Sequence, residues 1–364
     1  NLNSGSSLSG FNGLSVYSLT VTSNTANFSS YSSFTMGGPL SALSSAVVTL
    51  PNNDINVDDV TVTNSTLTTT SGILNVKGNL TISGTSTFNH NNGIINLTSS
   101  GTATYSCNNA SFNSITITKA SGSTTLNNCT FPIGNNPTVS SGNGYSFTMN
   151  SSSLVGTGTL NFATQLYLNI NSGSSLVGFN GLSVYGLTTS GITVDFSSYS
   201  PFTLGGPLSM TSSTVTFPNT EISVTDYTQT NSTFTSTSGN LNVGGNLTIS
   251  GTGTYNHNNG TLNFVGSGTT TYSCNNNVFN FVIINKGNGA ITTNNCNLPL
   301  GNNPTITYST VGHQFNLNNS TLSGSGTITF GTNGSLSLAS TGTLSGFSGL
   351  NVNYLVINGA NANY

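Results

Sequence analysis

The sequence predicts an all-β chain wound as a parallel β-helix, a β-solenoid of about 21-residue coils arranged in 168-residue tandem repeats. Three observations carry that prediction: a long internal repeat, short alternating apolar segments between turn-forming clusters, and cysteines spaced one coil apart. The repeat is the plainest. Gly10-Phe11-Asn12-Gly13-Leu14 recurs as Gly178-Phe179-Asn180-Gly181-Leu182 and again as Gly346-Phe347-Ser348-Gly349-Leu350, an offset of 168 each time. After a one-residue deletion near Ala42 the offset is 167, so Asn79–Gly84 matches Asn246–Gly251 and Pro132–Pro137 matches Pro299–Pro304. By Phe147 and Phe315 it is 168 again. Residues 1–168 are therefore read as a first solenoid repeat, 169–336 as a second, and 337–364 as the start of a third, continuous with the rest.

Along the chain, strands are expected wherever apolar and polar residues alternate, because such a segment buries one face. In order these are Leu14–Tyr17, Val60–Val62, Leu80–Ile82, Ile95–Leu97, Ile115–Ile117, Leu166–Ile170 and Val282–Ile284. Clusters of Gly, Asn and Ser between them favour turns and tolerate left-handed backbone. No segment combines helical spacing with a capping box and enough Ala, Leu, Glu or Lys to hold a helix.

The cysteines set the shorter period. Cys107 and Cys129 lie 22 residues apart, and so do Cys274 and Cys296. One coil of a β-solenoid takes roughly 20–25 residues, and stacked coils lie about 4.8 Å apart. That separation falls within the roughly 4.4–6.8 Å between Cα atoms that a disulfide accepts. Bridges Cys107–Cys129 and Cys274–Cys296 are expected, the alternative being four buried free thiols. Each 168-residue repeat then divides into eight coils, and the chain into about seventeen.

Composition narrows the function. Nearly half of the 364 residues are Ser, Thr or Asn, against 3 Lys, no Arg and 6 acids. Such a chain cannot neutralise a row of phosphates, so nucleic-acid binding is excluded as a role. The 34% apolar share argues against disorder. No apolar run approaches the roughly 20 residues of a membrane helix. The sequence opens without Met and without a charged, then apolar, leader, so any export signal is expected to have been removed or to lie outside it. Asn-x-Ser/Thr triplets are frequent; Asn64, Asn79, Asn231 and Asn246 are the candidate glycosylation sites. Together with the cysteines they point to an extracellular or cell-surface location.

Chemistry-bearing residues are few. Asp54 corresponds to Glu221 and Asp59 to Asp226, whereas Asp58 is replaced by Thr225 and Asp195 by Asn27. Two recurring acids five residues apart are too loosely spaced for a general acid and base, and no Gly-x-Ser-x-Gly elbow stands between strand and helix signals. Asp54, Asp58 and Asp59 could offer oxygens to Ca²⁺, but solvated turn acids explain them as well. His90, which recurs as His257, stands 17 residues before Cys107, too far for a zinc motif. No catalytic residue, cofactor or metal is assigned. Asp59 and Lys119, with Asp226 and Lys286, are read as candidate assembly contacts between subunits. Thr pairs such as Thr20/Thr22, Thr61/Thr63 and Thr102/Thr104 are 41 residues apart, which does not place a pair on every coil as an ice-binding face would need.

The passage Phe88-Asn89-His90-Asn91-Asn92-Gly93-Ile94-Ile95-Asn96-Leu97, with Gly101–Tyr105 and Phe112–Ile117 after it and Tyr255–Phe264 as its second copy, resembles the β-strand repeats of large secreted prokaryotic surface proteins. These include β-helical adhesins and autotransporter passengers. The resemblance implies a surface stalk, adhesin or fibre, and carries over no active site. Stacked Asn, Ser and Thr can bond along a solenoid axis, and a surface of little charge favours association. The chain also starts and stops inside its repeat without a distinct cap. The expected function is a structural subunit of an extracellular fibre, sheath or surface layer, a homopolymer of this chain; the alternative is a monomeric adhesin or stalk that binds surface glycans.

Overall fold

A computed structural model describes residues 1–163, 165–308, 313–331 and 334–359. They form an all-β parallel solenoid of about 16 turns, without a helix. The chain divides into two compact units, Asn1–Val184 and Tyr185–Tyr364.

In the first unit the coils contribute strands to three sides, the second of which is interrupted once. The longest sheet stacks Leu19–Thr22, Leu40–Leu43, Val60–Thr63, Leu80–Ser83, Ala103–Ser106, Thr124–Asn127, Ser146–Asn150 and Tyr167–Asn171, all parallel. A second side carries Thr25–Asn27, Val47–Thr49, Thr66–Thr68 and Thr87–Asn89. It resumes with Thr130–Asn135 and Ser153–Phe162. A third side carries Ile55–Val57, Ile73–Val76, Ile94–Leu97 and Ser114–Ile117.

The second unit repeats the plan. Its longest sheet runs from Gly186–Ser190 to Tyr354–Asn358. Its second side holds Thr193–Asp195 to Thr254–Asn256 and resumes at Asn297–Asn302. Register partners show the coil length directly: Leu19 pairs with Leu40, Leu40 with Val60, and Leu80 with Tyr105. The long step at Tyr105 recurs where Leu247 pairs with Tyr272. Shorter steps offset these, as where Leu208 pairs with Tyr227 and Tyr227 with Leu247, so the mean coil stays near 21 residues.

The alternation in the sequence becomes the core. Leu19/Val21, Leu40/Ala42, Val60/Val62 and Leu80/Ile82 point inward and are buried, while the residues between them are half-exposed. Burying a Leu, Val or Ile side chain stabilises by about 1.5–3 kcal/mol, and every coil repeats the gain. Aromatic rings stack in the same way: Phe202, Phe217, Phe234, Tyr255 and Phe279 follow one another at 4.9–5.7 Å between centroids.

The corners explain the Asn, Ser and Gly content. The residue that follows the longest-sheet strand is left-handed in coil after coil: Ser23, Ser44, Asn64, Gly84, Asn128 and Ser151 all have φ between 45° and 66°. Asn and Gly adopt this region at least cost, and a β-branched residue would be strained there. Just inside that corner runs a ladder of hydroxyls. The amide of Ala46 donates to Ser65 Oγ, that of Ser65 to Ser86 Oγ, that of Cys129 to Ser152 Oγ, and that of Ser152 to Ser174 Oγ. Each of these buried or half-buried hydroxyls thus satisfies an amide of the preceding coil.

Candidate functional site

The disulfides form as the spacing predicts. Cys107–Cys129 and Cys274–Cys296 each join one coil to the next, with Cα atoms 4.9 Å apart, and no described cysteine is free. Cys129 occupies the same corner ladder as the serines, which places it one coil above Cys107.

On the outer surface the polar side chains bond along the stacking direction. Asn96 Nδ2 donates to Asn75 Oδ1 at 2.9 Å, and Thr116 Oγ1 donates to Asn96 Oδ1 at 2.8 Å. Asn150 Nδ2 donates to Asn127 Oδ1 and Asn171 Nδ2 to Asn150 Oδ1, at 2.9 and 2.7 Å. In the second unit Asn263 bonds Asn242 in the same way at 2.9 Å. An amide has both a donor and an acceptor, so a stack of them propagates without an end partner of different type.

The acids join this system. Asp54 Oδ1 accepts the Ile73 amide, Asp59 Oδ1 accepts the Asn79 amide at 2.6 Å, and Asp226 Oδ1 accepts the Asn246 amide at 2.7 Å. Glu221 Oε1 accepts Asn242 Nδ2 at 2.8 Å. All four bonds cross from one coil to the next. Asp195 instead closes its own turn on the Ser197 amide, and that bond, with one from the Ser197 side chain, holds its carboxyl below the usual range. Asp58 accepts the Gly78 amide through its main chain. Among the described residues no group of three His, Cys, Asp or Glu is placed to hold a metal ion, Asp54, Asp58 and Asp59 included.

Lys119 and Lys286 do not fit the role of surface assembly contacts. Both are buried, 3% and 1% exposed. Lys119 follows Ile115 and Ile117 on the inward parity of its strand, and its Nζ donates to Gly101 O at 2.7 Å and Ser123 O at 3.3 Å. Burial lowers its ammonium from the ordinary 10.5 to about 8. Lys286 ends the strand Phe281–Lys286, inward like Val282 and Ile284, and its Nζ has no hydrogen-bond partner among the described residues. Burial lowers that ammonium too. An intersubunit ion pair with Asp59 or Asp226 would require the ammonium at the surface.

The four candidate glycosylation sites are exposed but unlike one another. Asn64 and Asn231 are left-handed corner residues whose Oδ1 accepts the amides of Thr85 and Thr252, both at 3.0 Å. Asn79 and Asn246 are bonded through both side-chain atoms: Nδ2 donates to Asp59 or Asp226, and Oδ1 accepts from Thr104 or Thr271. A sugar on Nδ2 is compatible with the first pair and displaces a coil-to-coil bond in the second. His90 and His257 each accept, at Nδ1, the amide two residues on.

Comparison with protein families, with curated proteins and with solved structures finds no match.

Proposed function

We propose that this chain is a structural subunit of an extracellular fibre, sheath or surface layer, formed by self-association of β-solenoids, and not an enzyme. The observation that carries the reading is the direction of its polar chemistry. Asn–Asn and Asn–Thr ladders, the serine corner ladder and four of the six acids all bond from one coil to the next. What one coil offers its neighbour within the chain is what it offers a coil of a second copy. Two of the three lysines are buried, so little like-charge repulsion opposes that contact. The two disulfides support an oxidising compartment, and the likeness to secreted prokaryotic surface repeats supports the same location. No described helix is long and apolar enough to cross a membrane.

Sedimentation velocity of the native protein over a wide concentration range tests the reading. Self-association predicts species that grow with concentration and persist in high salt, because hydrogen bonds and apolar contacts are screened little. A single monomeric species at every concentration would overturn it in favour of a monomeric stalk or adhesin.

A further inference from the structure

The second side of the solenoid is interrupted once in each unit, and the two interruptions are finished differently. In the second unit no strand follows Thr254–Asn256 on that side until Asn297–Asn302. The Thr254 amide donates to Ser232 O, and Asn256 O accepts the Ser236 amide, so those residues face the preceding coil and the Tyr255 main chain faces the open side. One side chain completes this edge. Asn277 Oδ1 accepts the Tyr255 amide at 2.7 Å, while its Nδ2 donates to Gly253 O at 3.1 Å and Cys274 O at 3.0 Å.

In the first unit the strand is Thr87–Asn89, bonded to the preceding coil through the Thr87 amide and Asn89 O in the same way. The Phe88 N–H therefore faces the open side. At the offset of 167 the counterpart of Asn277 is Ala110, which has no amide to offer. Nothing among the described residues bonds the Phe88 N–H. In place of the carboxamide there is an open pocket of about 480 Å³, lined by residues 86–91 and 108–111. The Phe88 and Phe112 rings, 5.3 Å apart, are buried beside it. Its rim is Ser, Thr and Asn with His90, and holds no Lys, Asp or Glu.

We propose that this pocket binds an uncharged ligand carrying an acetamido group, the N-acetylhexosamine of a glycan. Its carbonyl oxygen would take the Phe88 N–H, which answers to the Tyr255 N–H that Asn277 satisfies in the second unit, and a sugar hydroxyl would donate to Ser86 O, which answers to Gly253 O; the N–H of a trans secondary amide points away from its carbonyl, toward the polar rim. The space beyond the amide suits a sugar ring, and the surrounding hydroxyls and carboxamides suit its hydroxyls. The inference does not rest on self-association, since a monomer would bind the sugar equally well.

The test is a ¹⁵N-HSQC titration of the full chain with N-acetylglucosamine, with glucose and N-acetyl-asparagine amide as the comparison probes. Expected are saturable binding of N-acetylglucosamine at one site, a shift of the Phe88 amide resonance, and glucose weaker by about tenfold or more, the equivalent of one or two lost hydrogen bonds. Ala110→Asn, which installs the residue the second unit already uses, should fill the pocket and abolish binding with the melting temperature unchanged or raised. Absence of binding, equal binding of glucose, or binding undiminished in a folded Ala110→Asn would overturn the proposal. Should that variant fail to fold, a Phe88 amide unmoved in the unsubstituted protein overturns it. Binding of the asparagine amide without N-acetylglucosamine would overturn the glycan assignment.

Discussion

Lys286→Met should stabilise the protein. Lys286 is 1% exposed and its Nζ has no hydrogen-bond partner among the described residues. A buried polar group left unpaired costs about 1–3 kcal/mol, and more when it carries charge. Met keeps a similar unbranched stem for packing and removes the orphaned amine. The expected gain is about 1–3 kcal/mol, or roughly 2–10 °C in Tm for a unit of this size. The gain should also depend on pH. Burial lowers the folded-state pKa of Lys286 below its ordinary 10.5. Between the two values the unfolded chain binds more protons, so the native protein gains stability as pH rises toward 10.5 and the advantage of the variant shrinks. For Lys119 the same window runs from about 8 to 10.5. Lys119→Met should bring a smaller gain than Lys286→Met, because it gives up bonds to Gly101 O and Ser123 O. Calorimetric melts of both variants at pH 7 and pH 10 give the comparison. A lower Tm for Lys286→Met at pH 7, or a benefit that grows with pH, would refute the assignment of an unpaired interior ammonium.

Two further outcomes are expected. Replacing Cys107 and Cys129 together by Ser should cost about 3 kcal/mol, the chain-entropy value for a loop of this length, read as a lower denaturation midpoint; peptide mapping without reductant should recover Cys107–Cys129 and Cys274–Cys296 and no crossed pair. Ser152→Ala removes the buried hydroxyl that accepts the Cys129 amide at 3.1 Å and donates to Asn150 O at 2.7 Å; the loss should be about 1–3 kcal/mol, and guanidinium unfolding measures it.

Much of this architecture was legible because a parallel solenoid turns sequence separation into height. The 22 residues between Cys107 and Cys129 are one coil, and the pair bridges for that reason. Alternation in Val60–Thr63 and Leu80–Ser83 marked strands with one buried face, and the Asn and Ser clusters marked left-handed corners such as Asn64 and Ser151. Lys119 and Lys286 depart from the expected surface position because a charged side chain is ordinarily solvated, whereas these two lie inside. Parity was the signal that could have corrected this: Ile115, Ile117 and Lys119 fall on one face, as do Val282, Ile284 and Lys286. The acids were seen, but not their work, since the Asp59–Asn79 and Glu221–Asn242 bonds depend on which residues the coils superpose. The exchange of Ala110 for Asn277 was also visible in the repeat; it acquires meaning only where a strand is missing beside Phe88 and Tyr255.

The central claim, that coils of separate copies stack as coils within one chain do, is tested most directly by electron microscopy of the native, unheated protein, followed by diffraction from aligned specimens. The account predicts long uniform filaments or tubes with a reflection near 4.8 Å along the filament axis, the spacing between parallel strands. Dispersed particles at every concentration, or filaments whose 4.8 Å spacing lies across the axis, would contradict it.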